Sequence, residues 1–83
     1  MKRIGRDRFV RNVLIAIGNS GKPELAAEAQ RLLDDATPLV RGAAVWALAR
    51  LLPRAEFDAL ARRRAASEGD AEVRGEWTET TPA

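Results

Sequence analysis

Apolar residues recur three and four positions apart along most of the chain, the period of a helix that buries one face. In residues 6–17 that stripe is Phe9, Val10, Val13, Leu14 and Ile17, which predicts a first helix over this span. Gly18-Asn19-Ser20-Gly21 ends it. Gly18 suits a left-handed residue after the last turn, and Asn19 tolerates that conformation. Pro23 fits the first turn of a second helix, where its absent N–H costs nothing. Leu25, Ala29, Leu32 and Leu33 give that helix one apolar face up to about residue 33. Asp34-Asp35-Ala36 closes the hairpin. Thr37 as N-cap and Pro38 as first residue open a third helix. Its Val40, Ala43, Ala44, Ala47, Leu48 and Leu51 fall within a narrow arc, small enough in part for another helix to approach closely. Pro53 marks a fourth helix with Phe57, Leu60 and Ala61 on its apolar side. Arg62-Arg63-Arg64 lies in its last turn, favourable to the helix dipole. Ser67-Glu68-Gly69 breaks it, and Asp70 caps a fifth helix carrying Val73, Arg74 and Trp77. Residues 78–83 are polar, contain Pro82 and predict a frayed tail. No strand is predicted.

Three blocks repeat: Val10-Arg11-Asn12, Val40-Arg41-Gly42 and Val73-Arg74-Gly75, offset by 30 and 33 residues. That spacing is one helical hairpin, and fixed-period self-similarity indicates an array. The expected fold is all-α, an α-solenoid of about two and a half helical hairpins built from five helices. One repeat domain spans residues 1–77 and a polar tail residues 78–83. The stack opens in mid-repeat and neither end reads as a polar cap, so the chain is expected to be the end of a larger protein. Stacked repeats build binding surfaces more readily than catalytic pockets.

Composition narrows the chemistry. The chain has 83 residues, 46% of them hydrophobic, enough for one small domain with a core. A domain of this size buries only ~60% of its unfolded surface. Cysteine and histidine are both absent, which removes disulfides, thiolate and imidazole catalysis, zinc sites and iron–sulfur ligation from the chain itself. Nothing supplies a nucleophile with a base, so the chain alone is expected not to be an enzyme and to hold no cofactor. Absence of cysteine fits a cytoplasmic protein, and no apolar run approaches the ~20 residues of a membrane span. Net charge is +2, unevenly spread. Lys2, Arg3, Arg6, Arg8 and Arg11 face only Asp7 in the opening eleven residues. Glu68, Asp70, Glu72, Glu76 and Glu79 face only Arg74 from residue 67 onward. The basic end suits phosphates and the acidic end repels them, unless both are simply solvated faces.

The segment Asp35-Ala36-Thr37-Pro38-Leu39-Val40-Arg41-Gly42-Ala43-Ala44 resembles the HEAT-repeat pattern, in which a turn Asp precedes a Val-Arg pair's arginine by six positions. Asp35 and Arg41 keep that spacing, Glu68 and Arg74 keep it with a longer acid, and Gly5 breaks it before Arg11. The resemblance implies a structural ladder of Asp35, Arg41, Glu68 and Arg74 between neighbouring repeats. A guanidinium fork suits that role, because it serves turn carbonyls and a carboxylate together.

A closer resemblance covers nearly the whole chain. The opening Lys2-Arg3-Ile4-Gly5-Arg6-Asp7-Arg8-Phe9-Val10-Arg11-Asn12, the later Gly18-Asn19, Leu39 to Leu48, and the closing Val73-Arg74-Gly75-Glu76-Trp77 are similar to the C-terminal HEAT-like region of epoxyqueuosine reductase. The resemblance implies a parent oxidoreductase that reduces epoxyqueuosine to queuosine in tRNA. That parent uses a cobamide and two four-iron iron–sulfur clusters. None of the cluster cysteines occurs here, so no catalytic residue carries over. This chain would position the tRNA anticodon arm for a catalytic domain outside it.

On that reading Lys2, Arg3, Arg6, Arg8 and Arg11 are candidates for phosphate contact. Asn12 and Asn19 are candidates for hydrogen bonds to sugar or base edges. Against this, Asn19 is also sufficient as a turn residue and Arg11 as a ladder residue. Trp46 and Trp77 could stack on bases or pack within the array. The rival reading is a protein-interaction or buttressing module. Separately, Phe9, Val13 and Ile17 are expected to pack under preceding structure, and where that is missing the first helix is expected to pair two copies as a homodimer.

Overall fold

Each apolar stripe becomes a helix, and the glycine, proline and acidic clusters become the turns. A computed structural model describes the backbone of residues 3–79 and the side chains of residues 5–78. Five α-helices follow one another among the described residues: α1 (Arg3–Asn19), α2 (Ala26–Arg31), α3 (Pro38–Leu51), α4 (Arg54–Arg64) and α5 (Ala71–Glu79). Turns of 3-10 helix at Pro23–Leu25 and Leu32–Asp34 tighten both ends of α2, and another at Ala65–Ser67 follows α4. The expected second helix thus keeps its span but not its uniformity. Its α-helical part is only six residues long.

The three helices that carry the Val-Arg pairs stack in parallel. Contacts tie the start of α1 to the start of α3 and the end of α1 to the middle of α3. Arg41 near the start of α3 likewise meets Glu68 just before α5. α3 is the centre. Its Val40, Ala44, Val45, Ala47 and Leu48 are fully buried, between Leu14 of α1, Ala29 of α2, and Phe57, Leu60, Val73 and Trp77 of the last hairpin. Alanines on α3 bring its neighbours close, and the larger side chains around them fill the space that remains. Trp77 is buried and packs on Phe57, ring centroids 5.4 Å apart, which closes the last hairpin.

Several expectations are corrected. α1 starts three residues before residue 6 and runs two past Ile17. Gly18 is therefore not a left-handed cap. It is buried inside the helix, where a Cβ would lie 2.5 Å from Trp46 Cζ3 and 3.1 Å from Ala47 Cα. Close approach of α3, not turn geometry, requires glycine there. The residue with positive φ is Gly21, at 69°. Arg50 of α3 then serves the end of α1, donating from Nε to the Gly18 carbonyl at 3.2 Å while its guanidinium covers the Trp46 ring at 5.2 Å. Thr37 precedes α3 as expected, but its side chain does not cap it. The Thr37 hydroxyl donates instead to Asp7 Oδ2 of α1, at 3.1 Å. Asp70 does cap α5, with Oδ1 accepting from the N–H groups of Glu72 and Val73 at 2.9 and 3.1 Å. Thr78 and Glu79 belong to α5 rather than to a frayed tail. Residues 80–83 and Lys2 lie outside the described residues, as does the side chain of Arg3.

Candidate functional site

The turns before α3 and α5 build two rungs of the same design. Asp35 leads into α3, and its Oδ2 accepts from the Thr37 N–H at 3.0 Å, which fixes the carboxylate. The Arg6 fork then closes on it from α1, with Nη2 donating to Oδ1 at 2.7 Å and Nη1 to Oδ2 at 3.1 Å. Arg6 Nη1 also donates to the buried Asp7, Oδ1, at 2.9 Å. Before α5, Glu68 Oε2 accepts from the Asp70 N–H at 2.9 Å. Arg41 closes on this carboxylate through Nε and Nη2, both at 2.9 Å, and its Nη1 donates to the Asp35 carbonyl at 3.0 Å. Arg74 repeats that last contact, donating from Nη1 to the Glu68 carbonyl at 2.7 Å. Bidentate, charge-assisted pairs of this kind fix register as well as adding energy.

These partners set the ionisation. The Arg41 hydrogen bonds hold the Glu68 carboxyl below its ordinary value of 4.5, aided by the Asp70 N–H. The same pair raises Arg41. Arg6 is raised by its hydrogen bonds to Asp35 first and Asp7 second. Arg6 was a candidate for phosphate contact; the structure gives its fork to two carboxylates. Sequence spacing had assigned the first repeat's arginine to Arg11, and no local signal marks Arg6 instead. The pairing depends on α1 being helical a full turn before Val10, which places Arg6 and Asp7 against the turn that leads into α3.

Arg11, released from the ladder, joins a polar stripe. Arg8, Arg11, Asn12 and Asn19 lie at helical spacing on one side of α1, and all four are exposed. No hydrogen bond or ion pair holds their side chains among the described residues. The stripe borders a groove of about 570 Å³ between α1, α3 and α5. Arg11, Ile15 and Asn19 form one wall, and Asp70, Glu72 and Glu76 the opposite one. The floor is Leu39, Gly42 and Ala43, with Trp46 at one end. Trp46 is fixed by Arg50 over its ring and by Gly18 at its edge, and Trp77 is buried. Neither is placed as an open stacking platform.

On the opposite side, Arg62 and Arg63 are exposed while Arg64 donates to Asp34 at 2.6 Å. No group of side chains that could hold a metal ion occurs among the described residues. No described helix is long and apolar enough to cross a membrane.

Parallel helices bearing Val-Arg pairs, linked by arginine–carboxylate rungs at each turn, form a repeat stack. Residues 7–80 match the HEAT-repeat family. The chain belongs to that family. No curated protein and no solved structure matches it. In HEAT terms α2–α3 and α4–α5 are two hairpins, and α1 stands in the register of a hairpin's second helix.

Proposed function

We propose that this chain is a non-catalytic HEAT module of an epoxyqueuosine reductase-like protein. It positions the anticodon arm of tRNA while a catalytic domain outside the chain reduces epoxyqueuosine to queuosine. One observation carries the RNA contact: Arg8, Arg11, Asn12 and Asn19 share one exposed side of α1 and hold no partner among the described residues. Two free guanidinium groups at helical spacing suit successive backbone phosphates, and the asparagine amides suit sugar hydroxyls or base edges. The parentage rests on the sequence blocks around Arg3-Ile4-Gly5-Arg6, Val40-Arg41-Gly42 and Val73-Arg74-Gly75. The cobamide and both four-iron clusters belong to the catalytic domain in this reading. This chain has no cysteine to ligate iron, so no step of the reduction is assigned to it. The work would be done in the cytoplasm.

A fluorescence-anisotropy titration with a tRNA anticodon stem-loop tests this. Binding should weaken steeply with salt, with a log–log slope of about −0.7 to −0.9 per phosphate neutralised. The pair R8E/R11E should abolish binding and leave the fold intact, because neither side chain supports it. Salt-insensitive binding, or binding unchanged in R8E/R11E, would overturn the assignment. A second reading, a protein-interaction module, is favoured by the exposure of Phe9 (61%) and Val13 (38%) on another side of α1.

A further inference from the structure

The groove between α1, α3 and α5 has a chemistry that the tRNA reading does not use. Its floor is apolar and open: Leu39 is 45% exposed, and Gly42 and Ala43 leave room above α3. Its walls carry opposite charge, with Arg11 on α1 and Asp70, Glu72 and Glu76 on α5. The Glu72 carboxylate has no partner among the described residues, and the stem of Glu76 lies over Gly42, 3.8 Å from where a Cβ would stand. A phosphate backbone laid along this groove would meet three carboxylates for one guanidinium, which disfavours it. A volume of about 570 Å³ admits a few side chains rather than a duplex.

We propose that this groove binds a short peptide segment of another protein. An aliphatic side chain of the segment sits on Leu39 and Ala43, a lysine or arginine meets Glu72, and an acidic residue meets Arg11. The opposed walls select a segment with opposite charges on either side of an apolar centre, and they fix its direction. The docking side chains need no rearrangement of the core, because Leu39 and Glu72 already face solvent. The inference does not rest on the tRNA reading, which uses the α1 stripe and not the α5 wall.

The test is a nitrogen-15 NMR titration of the full chain with a capped synthetic decapeptide, two leucines flanked by a lysine on one side and a glutamate on the other. Shifts should cluster on Asn19, Gly42, Ala43 and Glu72. L39A should weaken binding about tenfold, the worth of removing a buried isobutyl group. E72K should weaken it up to about fivefold, as expected for an exposed charge pair. A peptide of the same length with the lysine replaced by a second glutamate should bind more weakly than the first. Shifts scattered over the surface, or an affinity unchanged in L39A and E72K, would overturn the proposal. So would shifts of these residues on raising protein concentration alone, which would give the groove to a second copy. An anticodon stem-loop that moves the same resonances and binds more tightly to E72K would give it to RNA. Arg11 belongs to both surfaces, but Arg8 does not line the groove, so R8E alone reports on the stripe, and failure of one reading is distinguishable from failure of the other.

Discussion

Gly18 shows how one residue sets the distance between two helices. Where α1 and α3 meet, a Cβ on Gly18 would stand 2.5 Å from Trp46 Cζ3 and 3.0 Å from Cε3. The Trp46 ring cannot withdraw freely, because Arg50 covers it and is itself tied to the Gly18 carbonyl. Alanine at this helical position would gain about 1 kcal/mol of intrinsic helix propensity. Overpacking against a wedged indole and the backbone of Ala47 costs about 1–3 kcal/mol. The steric term wins, so G18A should lower the urea midpoint. The double variant G18A/W46L should recover part of the loss, since leucine vacates the ring's outer edge. Full additivity of the two substitutions would mean that they do not meet through this contact.

At the scale of elements, the rungs bind helix to helix, and their order is only half legible in the sequence. The number and order of the helices followed from proline, glycine and the 3.6-residue stripe, because these signals are local; the ends of α1 and α5 did not. The six-residue spacing marks Asp35 with Arg41 and Glu68 with Arg74, which meet through the backbone carbonyls of the acids, while the Arg41–Glu68 side-chain pair links neighbouring repeats and is not specified by that spacing. Arg6 with Asp35 was not legible either, because Gly5 stands where the spacing asks for an acid, and the replacement pairs residues that meet only in three dimensions. The two rungs lend themselves to different tests. E68Q removes one charged acceptor of a pair that is largely shielded from water, and it should destabilise the fold by about 1–3 kcal/mol at neutral pH. Arg74 is exposed and donates to one carbonyl, so R74A should cost less than about 1 kcal/mol. The pH dependence has a definite sign. The Glu68 carboxyl sits below its ordinary 4.5 in the fold, so its contribution is complete above that value. It is lost as pH falls from about 4.5 toward the lower folded value. Thermal unfolding of the protein and of E68Q should therefore differ by a constant amount at pH 6–7 and converge in acid. A difference that persisted undiminished throughout the acid range in which the fold survives would remove Glu68 ionisation as its cause.

Over the whole molecule, the two ends of the stack differ in a way composition did not show. The last helix turns Arg74 and Thr78 to solvent, a polar surface. The first helix turns out Phe9 and Val13, one turn apart on a single side. In the repeat register these two residues occupy the positions of Leu39 and Ala43 in α3, on the side that faces the preceding parallel helix. A second copy can supply an equivalent apolar strip by two-fold pairing of α1 with α1. Arg8 and Arg11 lie on the same helix, so two copies brought together this way repel, and salt screens the repulsion while leaving the apolar contact intact. Sedimentation velocity should accordingly show self-association that rises with protein concentration and strengthens with salt. F9E should abolish it while changing the monomer's stability by no more than about 0.5 kcal/mol, because the side chain is outside the core. The phosphate binding proposed for the stripe on the same helix would respond to salt in the opposite direction. One salt series with and without the stem-loop would thus separate the two surfaces of α1, since apolar pairing should grow where RNA binding should fade. A dimer that dissolved as salt rose would instead place the contact on ion pairs, and the Phe9 strip would lose its role.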